Sequence, residues 1–198
     1  MVAVANGSED IETASIVDVL RRAEADVTTA KVGKNDTDLG SDKMSVLMQG
    51  LKVEADEILD QDLVDNNDYD AIVMPGGLPG SDHFRDCPIL VQTLKKYLQD
   101  DSKVVGAICA TPAVVLQTHG LLDGRKVTCY PYFGDQIDAA KYEADSSIVR
   151  SGNLLTSQGP GTAVEFAVAL VEALYGKDKA KEVGDPLILK SGSDFYKH

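Results

Sequence analysis

The sequence predicts an α/β fold: a doubly wound, mostly parallel sheet with helices on both faces. Three observations predict it. Short, fully apolar runs such as Ala71–Met74 alternate with stretches whose apolar residues recur at helical spacing, the pattern of strands buried on both faces under crossover helices. The run Val104–Ile108 stops at Cys109, and Thr111-Pro112 follows, with N-cap and first-turn residue types that open a helix. The chain has 198 residues, which suits a single domain (1–198) whose core needs neither disulfides nor metal.

In chain order, Val2–Ala5 reads as the first strand. The segment from Glu12 to Ala25 follows as a helix with Ile16, Val19, Leu20 and Ala23 on one face. A second strand covers Val27–Ala30, and the stretch from Lys43 to Asp65, rich in Asp, Glu and short apolar runs, carries no clear element. Ala71–Met74 is a buried strand ending in Pro75-Gly76-Gly77, and a helix runs from about Cys87 to Gln99. The strand before Cys109 leads into a helix with Thr111 as N-cap, closed by Gly120. Val127–Cys129 and Leu154–Thr156 read as further strands. The last helix runs from Thr162, its N-cap, to Tyr175, with Gly176 behind it.

A hydrophobic content of 43% and a charged content of 26% are ordinary for a soluble globular protein. The formal net charge of -13 argues against nucleic acid or an anionic membrane as partner, because phosphate binding needs clustered Lys and Arg. Arg21-Arg22 and Lys95-Lys96 are isolated pairs that read as solvated helix positions. Cys87, Cys109 and Cys129 are odd in number and lack CxxC spacing, and His83, His119 and His198 are scattered, so no metal site is expected. The apolar stretch from Ala163 to Tyr175 carries Glu165 and Glu172 and is too short to span a bilayer. Free thiols without a secretory leader predict a reducing compartment, the cytosol.

In a doubly wound sheet, ligands bind outside the carboxyl ends of the strands. Three loops should meet there: Asn6–Glu12, Pro75–Gly80 and the turn at Cys109-Ala110. A cysteine at a strand-to-helix turn faces the positive end of the next helix, which favours the thiolate. The same residue also reads as a small buried apolar filler. Backbone N–H groups at Gly77 and Ala110 suit an oxyanion, and a carboxyl beside the thiolate would be pushed towards its neutral form and serve as general acid or base. Each element also has a plainer reading. Gly76-Gly77 suits an ordinary tight turn, Glu9, Asp10 and Glu12 suit a helix N-terminus, His83 a loop, His119 a helix end, Cys87 packing at a helix start and Cys129 the core.

Four segments together carry a resemblance: Glu9-Asp10-Ile11-Glu12, Ile72–Gly77, Ala107–Pro112 and Leu154–Thr162. In this order and combination the chain resembles the ThiJ/PfpI superfamily, and within it the DJ-type, deglycase branch, from about Val2 to Leu189. The resemblance implies a flavodoxin-like sheet, Cys109 as an oxidisable nucleophile and Glu12 as the protonated carboxyl bonded to it. It places Gly76, Gly77 and Ala110 around the sulfur, Pro160 in a pocket wall, and Arg22 at a homodimer junction near the pocket. The chain departs from relatives at Tyr130, where the animal member of this branch has histidine, and at Gln49, where relatives often have an anion-binding arginine. Ala110 stands where the peptidase branch has histidine, so the resemblance implies no peptidase.

By resemblance the activity is that of a cofactor-independent enzyme acting on methylglyoxal, glyoxal or their adducts with amines and thiols (glyoxalase III or deglycase chemistry). An alternative is a redox-sensing, stress-protective chaperone whose Cys109 is oxidised to sulfinate. A third follows the historic description of relatives as thiamine-thiazole biosynthesis proteins, although no phosphate or nucleotide site is visible in the sequence.

Overall fold

The computed structural model describes residues 1–35, 39–40, 42–138 and 140–189. His198 lies outside the described residues. The chain builds, in order, β1 (Val2–Val4), α1 (Asp10–Arg22), β2 (Thr29–Lys31), β3 (Met44–Val46), β4 (Lys52–Glu54), β5 (Glu57–Ile58), α2 (Gln61–Asn66) and β6 (Ala71–Met74). There follow α3 (Gly80–Arg85), α4 (Pro88–Leu98), β7 (Val104–Ile108), β8 (Ile148–Ser151), β9 (Leu154–Ser157), α5 (Ala163–Tyr175) and α6 (Lys177–Gly184).

Seven strands form one sheet in the order β5-β2-β1-β6-β7-β9-β8. Every pairing is parallel except β8 with β9. From β1 the chain moves outward through β2 to β5, then returns to β6 on the other side of β1. That reversal leaves a crevice at the carboxyl ends of β1 and β6, beside the end of β7.

Alternation within each strand divides the core into two layers. Ile72, Met74, Val105 and Ala107 pack with Leu90 and Leu94 of α4 and with Phe84 and Leu116. Val73, Ile108 and Leu155 pack on the opposite face with Ile16, Val19 and Leu20 of α1 and Phe166, Ala167 and Leu170 of α5. Burial on both faces is why these strands read as continuous apolar runs.

The structure corrects several expected boundaries. The second strand is Thr29–Lys31, which begins two residues and ends one residue later than expected. Helix α1 opens at Asp10 behind Glu9 and closes at Arg22, because Glu24 takes a positive φ of 63°. Val127–Cys129 is not a strand: Val127 makes a single bridge to Tyr142, and Thr128 N–H donates to the Thr156 hydroxyl instead of a ladder. The segment left unassigned folds as the β3–β4 hairpin, the two-residue β5 and the short α2.

Candidate active site

Cys109 follows β7 with a φ of 66°, a left-handed conformation that costs a non-glycine residue about 1–3 kcal/mol. The surroundings hold it there. Its N–H donates to Ser157 O at 3.0 Å, and its O accepts from Tyr130 N–H at 2.8 Å. The predicted N-cap role of Thr111 is not what the structure shows. Thr111 is already helical (φ -62°, ψ -38°) and makes no cap bond. Its buried hydroxyl donates to Pro75 O at 2.7 Å and lies 3.2 Å from Ser81 Oγ. Thr111 thus ties the helical turn to the loop after β6. The turn that follows, Pro112–Gln117, is π-helical, a geometry that recurs at functional sites. Thr162 likewise makes no cap bond to its helix. Its hydroxyl donates to Gly159 O at 2.9 Å and pairs with Ser157 Oγ at 2.7 Å.

Glu12 reaches the elbow from the first turn of α1. Glu9 caps that turn, its Oε2 accepting from Glu12 N–H at 2.7 Å. Glu12 is fully buried, and its Oε2 accepts from Gly76 N–H at 2.6 Å. The carboxyl also hydrogen-bonds the Cys109 thiol. Its other oxygen, Oε1, is buried with no hydrogen-bond partner. The close approach of three backbones explains the glycine pair. A Cβ on Gly76 would stand 2.5 Å from Cys109 Cβ, and one on Gly77 (φ 90°) 2.4 Å from Gly7 O.

Burial raises the Glu12 pKa from 4.5 to about 7, the negative charge of Glu9 adds to this, and the Gly76 N–H opposes it. Cys109 departs from the acidic thiol expected from the sequence. Burial pushes the thiol up, and the charge of Glu12 and its hydrogen bond push it further, while the N–H groups of Gly77 and Ala110 pull it down. Sulfur and carboxyl compete for one negative charge. The thiolate is therefore favoured when Glu12 holds its proton. Of the backbone groups expected around the sulfur, Gly77 and Ala110 serve it, whereas the Gly76 N–H is committed to Glu12.

The raised carboxyl also sets a stability profile. Between pH 4.5 and 7 the native state keeps a proton that the unfolded chain has released, so stability falls as pH rises. The Glu12 contribution lost across this window is on the order of 3 kcal/mol. Glu12→Gln lacks this titration. Urea unfolding of the variant and the parent at pH 5 and 7.5 is expected to show the difference moving in the variant's favour by about that amount. A pH-independent difference would contradict the raised carboxyl.

The remaining expected residues divide. Tyr130 borders the elbow and stays 45% exposed, and Pro160 opens the turn after β9 beside Gly159. Arg22 is not brought to the pocket within one chain. It lies about 15 Å of helix axis beyond Glu12, with its side chain 51% exposed and paired with Asp18. Gln49 sits in the hairpin turn, where its N–H and that of Leu51 are held by the Asp10 carboxylate. His83 lies in α3, not a loop, and His119 Nε2 bonds Arg85 O at 2.8 Å. Cys87 is the buried N-cap of α4, and Cys129 is fully buried. Among the described residues no group of three or more His, Cys, Asp or Glu is placed to hold a metal ion. Among them, too, no helix is long and apolar enough to cross a membrane.

A doubly wound sheet with a cysteine at a strained elbow beside a buried carboxyl is an α/β architecture compatible with cysteine-based chemistry. The family model for the DJ-1/PfpI family matches residues 1–173, and the chain belongs to that family, in its DJ-1-type branch. It is 42% identical over 191 residues to Protein DJ-1 homolog B of Arabidopsis thaliana, covering 96% of this chain and 41% of that protein. The chain thus spans about two-fifths of the length of the plant relatives it matches. It is 39% identical over 127 residues to the glutathione-independent glyoxalase DJR-1.2 of Caenorhabditis elegans, covering 64% of this chain and 66% of that one. The solved structure of oxidized Toxoplasma gondii DJ-1 superposes with a TM-score of 0.86 at 40% identity, over 96% of this chain and 97% of that chain. Family membership and the buried, unpaired Cys109 are consistent with a cysteine-based activity of the DJ-1 type.

Proposed function

We propose that the chain is a cofactor-independent cysteine enzyme that converts methylglyoxal, glyoxal or their early adducts with amines and thiols into 2-hydroxy acids. The observation that carries this reading is a thiol and a proton-bearing carboxyl in contact at one backbone elbow. The name of the nematode relative supports it.

Thiolate Cys109 attacks the aldehyde carbon, forming a C–S bond. The new oxyanion faces the N–H groups of Gly77 and Ala110 and takes the proton of Glu12. Glu12, now a carboxylate, removes the hydrogen of that carbon as a proton and returns it to the neighbouring carbonyl carbon, while the hydroxyl proton on the first carbon passes to the oxygen of the second. The first carbon is oxidised as the second is reduced, leaving a thioester on Cys109. Water then breaks the C–S bond, which releases lactate from methylglyoxal and restores the thiol. An amine adduct yields the free amine as well. The redox change is internal to the substrate, so no electron carrier takes part. Incubation of the purified protein with methylglyoxal, read by D- and L-lactate dehydrogenases, tests the reading. No lactate above the protein-free rate would remove it.

The oxidized state of the solved Toxoplasma relative favours a second reading, a redox-sensing chaperone. Two peroxide molecules would each pass one oxygen to the Cys109 sulfur and leave as water, giving a sulfinate beside Glu12.

We further propose a cytosolic homodimer. Ile11 on α1 and Val46, Met48 and Leu51 on the hairpin are exposed, an apolar face suited to a second copy, and Leu51 also lines a cavity of about 370 Å³ between these elements. Only a second subunit would bring an Arg22 to a pocket. Sedimentation equilibrium at low micromolar concentration is expected to give a mass near twice 21.2 kDa, and a monomer would exclude this arrangement.

A further inference from the structure

An aromatic ring stands at the same gap as the reactive pair. The Tyr130 backbone is fixed to the elbow by its 2.8 Å bond to Cys109 O. Its ring lies over Gly159, where a Cβ would be 3.3 Å from Tyr130 Cδ2, 3.8 Å from Cε2 and 4.0 Å from Glu12 Oε1. Ring and unbonded carboxyl oxygen therefore border one space above the Gly159 backbone. Phe133 packs against the ring (centroids 6.5 Å, planes at 55°), and Tyr132 meets Phe133 edge-on at 5.2 Å. Tyr130 is 45% exposed, so much of a flat apolar surface stays open beside a cysteine that is itself only 9% exposed.

We propose that the Tyr130 ring is a specificity-determining platform: carbonyl substrates bearing an aryl or similarly flat apolar group are selected over those bearing a methyl group. This rests on Cys109 as the nucleophile of the site. Stacking on the ring orients the carbonyl carbon towards the sulfur, and an aromatic pair gives roughly three- to tenfold discrimination. The phenol hydroxyl takes no part.

The test compares two α-haloketones, 2-bromoacetophenone and bromoacetone. Each alkylates Cys109 by forming a C–S bond as bromide leaves. Rates are followed by intact mass and divided by those of a free thiol. The aryl-to-methyl ratio is expected to exceed that of the free thiol by roughly three- to tenfold. Tyr130→Phe should keep the excess, and Tyr130→Leu should abolish it. Equal ratios in all three proteins, or loss of the excess in Tyr130→Phe, would overturn the proposal. Turnover of phenylglyoxal against methylglyoxal separates this inference from the proposed function. An aryl preference in alkylation without turnover of either aldehyde would sink the enzyme reading and leave the platform. Turnover of both aldehydes with a flat alkylation ratio would do the reverse.

Discussion

Serine at position 109 is expected to abolish lactate formation from methylglyoxal, a loss of roughly 10³-fold or more. The hydroxyl would occupy the same strained turn, but it ionises far less readily than the thiol it replaces. The route through a hemithioacetal and thioester closes with the sulfur. Lactate yield against time reads the effect, and urea unfolding checks that the variant folds. A variant that keeps a tenth of the parent rate would show that the chemistry does not pass through Cys109. Peroxide treatment followed by peptide mass spectrometry extends the same comparison. The parent should gain two oxygens at Cys109 before Cys87 or Cys129 reacts, because those two thiols lie deeper, and the serine variant should gain none at that position.

Glu12→Gln is expected to lower methylglyoxal turnover by ~10²-fold or more, the usual scale for losing a general acid–base group. The amide oxygen still accepts the Gly76 N–H, and the amide N–H still faces the sulfur. What disappears is the proton that must pass between adjacent carbons. Iodoacetamide should still alkylate Cys109 in this variant, and at pH 8 not more slowly than in the parent, because removing the carboxylate charge lifts one of the causes that push the thiol up. Turnover near the parent level would leave Glu12 as a tuning group and Cys109 as a sensor thiol.

The parts of this architecture that were legible in the sequence are those with two-sided burial. Ala71–Met74 and Val104–Ile108 are strands at the expected limits, since a strand covered on both faces tolerates only apolar residues. The same criterion misplaced Val127–Cys129, whose residues are buried but bond to a side chain and a loop. The β3–β4 hairpin was illegible for the opposite reason: five of its six strand residues are exposed or half-exposed, so no buried alternation marks it. At the site, the cysteine elbow was readable because small residues, Cys, Thr and Pro follow one another without a gap. Glu12 was singled out by resemblance alone, since an acid in a first helical turn has a sufficient local reason to be there. The Ser81–Thr111–Pro75 tie gave no local signal, because it joins segments some 30 residues apart, and the cap-like Thr-Pro pair pointed to a different role.

The left-handed backbone at Cys109 sets the chain's durability against its chemistry. Glycine is the residue that relieves such a turn most cheaply, and glycine at 109 is also the substitution that deletes the sulfur. At this position a drift towards greater stability is therefore a drift towards loss of the thiol. A consensus built only to raise the melting temperature would favour the thiol-free variant, and any screen for hardier forms of this protein has to carry a thiol-dependent readout beside its thermal one.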